Sequence, residues 1–276
     1  MPPKPMPNFL LCPHCGYSRS WSLRRYHRRC KKCRKEWSPG SFHPVWKFRL
    51  SRREWLGIIE TFMRDGTTVA VQDISRLAHG TATKAVKAIR SAMSIDVPEL
   101  LMGVCEADET YIGGSWKNKA IHIRRQGSKR GRGTSKQPIF GVIQRAGDEP
   151  SRVRVWLTKD TKNQSLDKHI FDTVVRGSVI YTDGRKGYRR LPRYGYFHDW
   201  VDHEAGEYVR GPVHTQNMDG YWGRLKTHLG GIGGIRKSHL PLFVAEHVWR
   251  FNFRHLSRKE QAKRIYSFLT KIGGRF

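Results

Sequence analysis

Two pairs of cysteines near the N-terminus constrain the fold of this sequence more than any other feature. Cys12 and Cys15 form one C-x-x-C pair, Cys30 and Cys33 form a second, and the 14 residues 16–29 separate them. Two residues between thiolates allow a tight turn to direct both sulfur atoms at one tetrahedral Zn²⁺, and a second pair completes the coordination shell. The spacing is one residue short of the usual zinc-ribbon window. We therefore predict a zinc ribbon in which these four cysteines bind a structural Zn²⁺.

A redox-active pair is the alternative interpretation of a C-x-x-C motif, but the doubled motif favours the metal site. The fifth cysteine, Cys105, stands apart from both pairs. We interpret it as a buried residue of a strand.

The chain carries a large excess of positive charge. It has 52 Lys and Arg against 23 Asp and Glu, a formal net charge of +29 at pH 7 that is spread along its whole length. This charge predicts a polyanionic partner, nucleic acid above all, with an anionic membrane surface or acidic proteins as alternatives. No apolar stretch approaches the ~20 residues that span a bilayer, and the N-terminus lacks the apolar core of a secretory signal. We expect a cytoplasmic, nucleoid-associated protein with reduced thiols.

Residues 46–98 are predicted to form a small helical domain that binds DNA. Apolar residues recur at helical spacing in its first helix, at Trp55, Ile58, Ile59 and Phe62. Asp65-Gly66 marks the end of this helix, and a short second helix stops at His79-Gly80.

The third helix of this domain is predicted to have one apolar and one basic face, with Thr81 or Thr83 as its cap. The apolar face comprises Ala85, Val86 and Ile89. The basic face, which suits docking in the major groove of DNA, comprises Lys84, Lys87 and Arg90. The pattern therefore indicates a helix-turn-helix-like unit, with a plain helical bundle as the alternative.

Residues 99–276 alternate between strand and helix patterns in an order typical of one fold class. Three strand patterns, "LLMGVCEADETYIGG", "QPIFGVIQRAG" and "SRVRVWLTKD", precede a helical pattern, "KNQSLDKHIFDTVVRG", and then another strand, "SVIYTDG". This is the order of an RNase H-like core. We predict an α/β protein in which an RNase H-like mixed-sheet domain, 99–276, follows the zinc ribbon, 1–45, and the helix-turn-helix-like domain, 46–98.

The predicted core places two aspartates on neighbouring strands. Asp108 lies in the first strand and Asp183 at the end of the fourth. Because residues two apart share a face of a strand, Glu106 and Thr110 accompany Asp108, whereas Glu109 is expected to point away. For Asp183 alone, an ordinary solvated turn residue is an equal alternative, since "TDG" is a common turn sequence.

A third acid lies in "HTQNMDGYWGRLKTHLGG". If a helix starts near Thr215, then Asp219, Trp222 and Lys226 fall at i, i+3 and i+7 along one face. Carboxylates that converge beside a polyanion can hold two Mg²⁺ ions, which promote in-line displacement at phosphorus. Trp222 suits the core and a DNA contact equally, and Asn217 suits a helix cap or a polar neighbour of the metal.

The stretches "ADETYIGG", "VIYTDG", "VDHEAGEYVRGPVHTQNMDGYWGRLK" and "FVAEHVWRFNFRH", behind "CPHC…CKKC", resemble a known family. They are similar to DDE-type transposases of bacterial insertion sequences, in the zinc-ribbon-containing ISXO-like group. The resemblance covers nearly the whole chain and includes the order of the motifs. It implies an RNase H-like catalytic domain, two divalent ions (Mg²⁺ or Mn²⁺), and cleavage and joining of DNA at inverted-repeat ends.

The resemblance also implies roles for individual residues. Asp108 and Asp183 match the first two catalytic acids, and Lys226 matches a lysine of the helix that carries the third. That third position, three residues before the tryptophan, is commonly glutamate and is Asp219 here. Because some members have asparagine in this region, Asn217 is the alternative third ligand.

Further residues are predicted to contact DNA. The Gly/Ser-rich basic loop "RRQGSKRGRGTSK" contributes Lys129, Arg130 and Arg132. The region around the third acid contributes His214, Asn217, Trp222 and Arg224. His203, Glu207, His214 and Thr215 belong to the shared motif without a derivable role. For His214, contact with the scissile phosphate and a tie between loop and helix are equal alternatives.

The predicted function is that of a transposase, which binds double-stranded DNA at the element ends and then cleaves and transfers strands. A nuclease that cuts without joining would use the same chemistry. The alternative from another class is a DNA-binding regulator or a domesticated transposase without cleavage activity. Because synapsis brings two DNA ends together, we expect a homodimer or a larger assembly on DNA.

Overall fold

The structure is a computed structural model, and it describes much of the chain. The described residues are 12, 14, 15, 17–23, 27–37, 48, 50–98, 100–113, 121–125, 136–160, 163–184, 186–203 and 205–270. Contacts divide the chain into two compact units, which are Met1–Asp96 with Leu256–Phe276, and Val97–His255.

The secondary structure elements follow in chain order. The strands are β1 Ser20–Ser22, β2 Arg28–Cys30, β3 Glu36–Trp37, β4 Val104–Ile112, β5 Gln137–Gln144, β6 Arg152–Leu157, β7 Val179–Asp183 and β8 Phe197–Val201. The helices are α1 Arg52–Asp65, α2 Thr68–Ser75, α3 His79–Ile95, α4 Ile121–Arg124, α5 Asn163–Phe171, α6 Gln216–Gly231, α7 Leu240–Asn252 and α8 Arg258–Leu269. A 3-10 helix spans Lys186–Tyr194.

Helix α1 begins at a capping box and ends where the sequence predicts, at Asp65-Gly66. Ser51 and Glu54 form a capping box, in which each side chain accepts a hydrogen bond from the backbone N–H of the other. Gly66 ends the helix in the left-handed conformation, with φ 71°, which glycine adopts without steric cost. The predicted apolar stripe is confirmed, because its members are all buried: Trp55, Ile58, Ile59 and Phe62.

Helix α3 begins earlier than predicted. Its N-cap is Ala78, and His79 and Gly80 form its first turn, so the prediction that Thr81 or Thr83 caps it is wrong. Thr83 Oγ1 instead donates a hydrogen bond of 2.9 Å to the carbonyl of His79, one turn back. The predicted inward residues are confirmed as buried: Ala85, Val86 and Ile89.

The last helix, α8, packs against α1 and α3 within the first unit. Arg264 donates hydrogen bonds of 2.6 and 2.7 Å to Asp96, at the end of α3, whose carboxylate is buried. The sequence predicts one domain over 99–276, whereas in the structure this last helix groups with the N-terminal unit. The pairing of residues this far apart in the chain has no local sequence signal.

The second unit is built on a five-stranded mixed sheet. The strand order is β6-β5-β4-β7-β8. β5 pairs antiparallel with both β4 and β6, whereas β4, β7 and β8 pair in parallel. This arrangement confirms the predicted RNase H-like mixed sheet. The sequence predicts four of these strands but not β8, because the β8 pattern, "FHDWV", lacks alternation and Phe197 is 68% exposed.

Helices cover both faces of this sheet. On one face, α5 and the 3-10 helix contribute Leu166, Ile170, Tyr188 and Leu191 to a core that includes Cys105. On the other face, α6 and α7 pack on β5 and β6. Cys105 is fully buried in β4, which confirms its interpretation as a buried strand residue, and the aromatic-rich α7 packs on the sheet. Within the described part of the chain, no helix has the length and apolar character needed to cross a bilayer.

Candidate active site

Two parallel strands bring Asp108 and Asp183 together. In the ladder between β4 and β7, Glu106 pairs with Tyr181. Each aspartate lies two residues further along its own strand, so both reach the same end of the sheet. Asp108 and Asp183 are both half-buried there. The sheet therefore juxtaposes Asp108 and Asp183, as the sequence predicts.

A third carboxylate joins them. One carboxylate oxygen from each of Asp108, Glu109 and Asp183 lies within 4.8 Å of the other two. The expectation that Glu109 points away from this group is therefore wrong for its carboxylate. Strand alternation fixes only the direction of the Cα–Cβ bond, and the remaining bonds of a glutamate side chain allow its carboxylate to reach the same place.

A buried tyrosine lies near these acids. Tyr188, on the 3-10 helix, is 2% exposed. Burial raises the pKa of Tyr188 well above its ordinary value, and the negative charges of Glu109, Asp108 and Asp183 raise it further. The phenol therefore stays neutral beside the carboxylates. Sequence reasoning missed Tyr188, because "GRKGYRRLP" has no pattern that marks it.

Helix α6 carries Asp219 in its first turn. The side chain is exposed, and its Oδ2 atom accepts a hydrogen bond of 3.4 Å from the Thr215 hydroxyl. The charge of Asp219 contributes to the raised pKa of Asp108, which indicates that the two carboxylates are neighbours. Among the described residues, however, Asp219 is not part of the group within 4.8 Å.

Trp222, on α6, contacts the Asp108 carboxylate through its indole ring. Its Nε1 atom donates a hydrogen bond of 2.9 Å to Asp108 Oδ2. Trp222 is only 3% exposed, in the core between α6 and the sheet. The sequence is equally compatible with a core position and a DNA contact for Trp222. Its burial favours the core position and a role in orienting Asp108.

Gly141 makes room for this indole. It lies directly opposite Asp108 on β5. A Cβ atom at Gly141 would lie 2.7 Å from Cη2 and 2.9 Å from Cζ2 of Trp222, and it would also overlap the methyl group of Met218. Only glycine permits this close approach of α6 to the strand. Sequence reasoning missed this residue, which reads as an ordinary glycine within a strand.

The crowded carboxylates perturb one another. Partial burial raises the pKa of Asp108 well above its usual value, and the charges of Glu109, Asp183 and Asp219 raise it further. Like charges held this close destabilise the ionised form. A divalent cation would remove that repulsion.

The donor set fits Mg²⁺ or Mn²⁺. All of the clustered groups are carboxylates, and hard divalent ions prefer oxygen ligands, with water or substrate oxygens completing the shell. Asp108, Glu109 and Asp183 are together placed to hold such an ion, and Asp219 is a further acid near Asp108.

The other predicted residues on α6 or just before it divide into two groups by their contacts. Arg224 and Lys226 are exposed, and the guanidinium of Arg224 lies 5.5 Å from the centre of the Phe251 ring. Asn217 instead donates a hydrogen bond of 2.7 Å to Glu106, and His214 Nδ1 lies 3.4 Å from the same carboxylate.

Contacts among its own residues and with β8 stabilise the loop before α6. The rings of His203 and Tyr208 lie 4.9 Å apart. Arg210 donates a hydrogen bond of 2.6 Å to Asp199 and lies 3.8 Å from the carboxylate of Glu207. These contacts give His203 and Glu207 structural partners within the loop.

Three predicted DNA-binding residues lie on α3. Lys84 and Lys87 are exposed, whereas Arg90 is half-buried and its guanidinium lies 5.2 Å from the centre of the Phe62 ring. The three basic residues predicted in the Gly/Ser-rich loop lie outside the described residues: Lys129, Arg130 and Arg132.

A second candidate metal site lies in the first unit. The Sγ atoms of Cys12 and Cys33 are 3.5 Å apart, as are those of Cys15 and Cys30, and all four lie within 4.8 Å of one another. A tetrahedral zinc with Zn–S bonds of about 2.3 Å requires sulfur atoms about 3.8 Å apart. The four cysteines therefore fit Zn²⁺.

The backbone around Cys30 supports a thiolate. The N–H groups of Lys32 and Cys33 point at Cys30 Sγ, at 3.3 and 3.4 Å. Although burial raises the pKa of Cys30, these hydrogen bonds and the neighbouring sulfur atoms lower it to about 6. The three strands β1, β2 and β3 form a small antiparallel sheet around this cluster, which is the expected form of a zinc ribbon.

The chain is similar to a known family of transposases and to individual proteins. Residues 100–252 match the model of the ISXO2-like transposase domain. A protein of Halobacterium salinarum, described as an uncharacterized protein in transposable element ISH50, is 25% identical over 270 residues, which cover 94% of this chain and 90% of that protein. An uncharacterized transposase-like protein of Haemophilus influenzae is 29% identical over 101 residues, which cover 37% of this chain and 81% of that protein.

Substitution of Gly141 by alanine should displace Trp222 from Asp108. The added methyl group overlaps the indole, and overpacking of this kind costs about 1–3 kcal/mol. We expect a lower melting temperature and weaker binding of Mn²⁺, measured by calorimetry. Gly147→Ala is the control, because a Cβ there meets no atom within 4 Å. Equal melting temperatures and equal Mn²⁺ affinities for the two variants would contradict the close approach.

Substitution of Asp108 by asparagine should stabilise the metal-free protein at neutral pH. A carboxyl group whose pKa is raised by folding binds its proton more tightly in the folded state, so stability falls as pH rises from the unfolded pKa through the folded one. The variant should therefore melt a few degrees higher at pH 7, since about 1 kcal/mol corresponds to about 2–4 °C in a protein of this size. The difference should disappear near pH 3, below both pKa values.

Thermal melts with and without Mg²⁺ provide the measurement for this prediction. Mg²⁺ should raise the melting temperature of the wild type more than that of Asp108→Asn. Asp148→Asn, in an exposed turn, is the matched control. A metal-free Asp108→Asn protein that melts below the wild type at pH 7 would refute the repulsion among these carboxylates.

Removal of one cysteine ligand should release zinc. We expect one Zn²⁺ per chain in the wild type and loss of it in Cys30→Ser, measured by elemental analysis, with faster amide exchange over residues 17–37. Cys105→Ala is the control, because Cys105 lies in β4 and is not part of the cluster. Retention of full zinc content by Cys30→Ser would exclude the four-cysteine site.

Proposed function

The chain belongs to the family of ISXO2-like transposases, and we propose that it binds the ends of an insertion sequence, cleaves DNA there and transfers the strands. The single observation that carries the proposed chemistry is the cluster of Asp108, Glu109 and Asp183 beside Asp219. Acids crowded together in a protein of formal net charge +29 indicate a functional site, and here they suit a metal ion that faces a phosphate.

Recognition of DNA falls to the basic parts of the chain in this proposal. The zinc ribbon and helices α1 to α3 bind the element ends, and the exposed Lys84 and Lys87 suit contact with phosphates or base edges in the major groove. The half-buried Arg90 belongs to the same helix face. Because phosphate contacts dominate affinity, end binding should weaken steeply with salt.

Asp108 and Asp183 would hold two Mg²⁺ or Mn²⁺ ions in this proposal, with Asp219 as the third ligand. Glu109 and Asn217 are the alternatives for that third position. When bound, such ions supply the positive charge that activates an attacking hydroxyl and stabilises the leaving oxygen in displacement at phosphorus.

The chain's own residues orient this site. Trp222 fixes one oxygen of Asp108 by its hydrogen bond, so the carboxylate presents its other oxygen in a constant direction. Lys226 lies seven residues after Asp219, two turns and about 10 Å further along α6. Its exposed ammonium group, with that of Arg224, suits the phosphates next to the scissile one.

Transfer after cleavage needs no second site. The 3′-hydroxyl released by the first displacement becomes the attacking group in the second, and the same carboxylates serve both steps. Since two element ends must be joined to one target, we expect at least a homodimer on DNA.

Cleavage of a labelled duplex that carries the element's own ends tests this proposal. We expect the wild type to cut with Mg²⁺ or Mn²⁺, and Asp108→Ala, Asp183→Ala and Asp219→Ala to bind the DNA but cut at least about 100-fold more slowly, as for loss of other preorganised catalytic groups. Asp148→Ala, outside the cluster, is the control and should cut normally.

The outcomes separate the alternatives. If Asp219→Ala still cuts, then Glu109→Ala and Asn217→Ala identify the third ligand. If the wild type cuts but does not join ends to a target duplex, the protein is a nuclease of this family. Tight end binding without any cleavage would replace the proposal by a DNA-binding regulator.

A further inference from the structure

A buried glutamate anchors the start of the helix that carries the third acid. Glu106 precedes Asp108 by two residues on β4, and none of it is exposed (0%). A buried carboxylate is costly unless its oxygens are paired and hydrogen-bonded. Its Oε1 atom accepts hydrogen bonds of 2.7 Å from Arg145 Nε and from Asn217 Nδ2, and its Oε2 atom accepts one of 3.0 Å from the backbone N–H of Met218.

Arg145 joins this glutamate to the segment that enters α6. Its Nη1 atom donates a hydrogen bond of 2.8 Å to the carbonyl of Pro212, and its Nη2 atom donates one of 2.9 Å to the carbonyl of His214. The guanidinium lies 4.8 Å from the centre of the Tyr181 ring on β7. The rigid fork of an arginine can make these three bonds at once, which a lysine cannot.

The N-terminus of helix α6 receives one of its hydrogen-bond acceptors from this arrangement. Its own N-cap residue, Thr215, makes no side-chain capping bond, and its hydroxyl donates to Asp219 instead. The first N–H groups of a helix need acceptors. Glu106 supplies one from the neighbouring strand, at Met218, the residue immediately before Asp219.

We propose that Glu106 and Arg145, here named the α6 clamp, are positioning residues that fix the first turn of α6 and so hold Asp219 near Asp108. The α6 clamp acts through the helix and not by contact with DNA. Its significance for metal binding rests on the proposed function, but its effect on α6 does not. The same turn leads to Trp222, so the clamp also sets the hydrogen bond to Asp108.

The test uses the full chain with Glu106→Gln and Arg145→Lys. Matched controls are Glu149→Gln and Arg152→Lys, which alter an ion pair of 3.3 Å between exposed side chains of the same sheet unit. Two measurements are made without DNA, namely amide hydrogen exchange over residues 214–222 and Mn²⁺ affinity by calorimetry. Cleavage is then measured as a function of Mn²⁺ concentration.

We expect faster exchange at the start of α6 in both clamp variants, with the amides of β4, β5 and β7 still protected. Mn²⁺ should bind about 10-fold or more weakly, as for other losses of groups that orient metal ligands. The Mn²⁺ concentration for half-maximal cleavage should rise accordingly, more than the maximal rate falls. Both controls should match the wild type in every measurement.

A single substitution leaves one buried charge without its partner and can unfold the protein. The double variant Glu106→Gln/Arg145→Gln removes both charges and guards against this outcome. Folded clamp variants with wild-type exchange at 214–222 and wild-type Mn²⁺ affinity would overturn the proposal. Failure of the double variant to fold would also overturn it, because the pair would then support the whole sheet and not α6 in particular.

The two proposals fail separately. If the wild type never cuts DNA but the clamp variants loosen α6, the α6 clamp stands and the cleavage proposal is lost. If the wild type cuts and the folded variants behave as the controls do, only the clamp is lost.

Discussion

The fold keeps three carboxyl groups close together against their mutual repulsion. Parallel pairing of β4 with β7 places Asp108 and Asp183 at one end of the sheet, and Glu109 joins them within 4.8 Å. Burial raises the pKa of Asp108 well above its usual value, and the negative charges of its neighbours raise it further. A site that is unfavourable when empty of cations is well suited to bind them.

Neighbouring groups hold this arrangement in place. Trp222 donates to Asp108, and Gly141 is the glycine that lets the indole reach it. Behind them, the buried Glu106 and its partner Arg145 fix the start of α6. Each contact joins residues from different elements, so the geometry of the acids depends on the packing of α6 against the sheet.

The sequence predicted much of the fold and part of the site. The cysteine spacing and four of the five sheet strands were recognisable from local patterns, as was the apolar stripe of α1. Strand β8 was missed because a half-exposed edge strand has no clear alternation. The cap of α3 was misplaced because Thr83 bonds back to its own helix, a choice between two local hydrogen bonds that the sequence leaves open.

By itself, the sequence determined which chemical groups are available: four cysteines at a metal-binding spacing, aspartates on strands, and an excess of basic residues. Only the tertiary structure decided which of them meet. Glu109 reaches the acidic cluster, Glu106 binds Arg145 and α6, and Trp222 faces Asp108 and not solvent. Composition and periodicity report on neighbours along the chain, whereas these contacts join residues far apart in it, and their partners are set by strand register and helix packing.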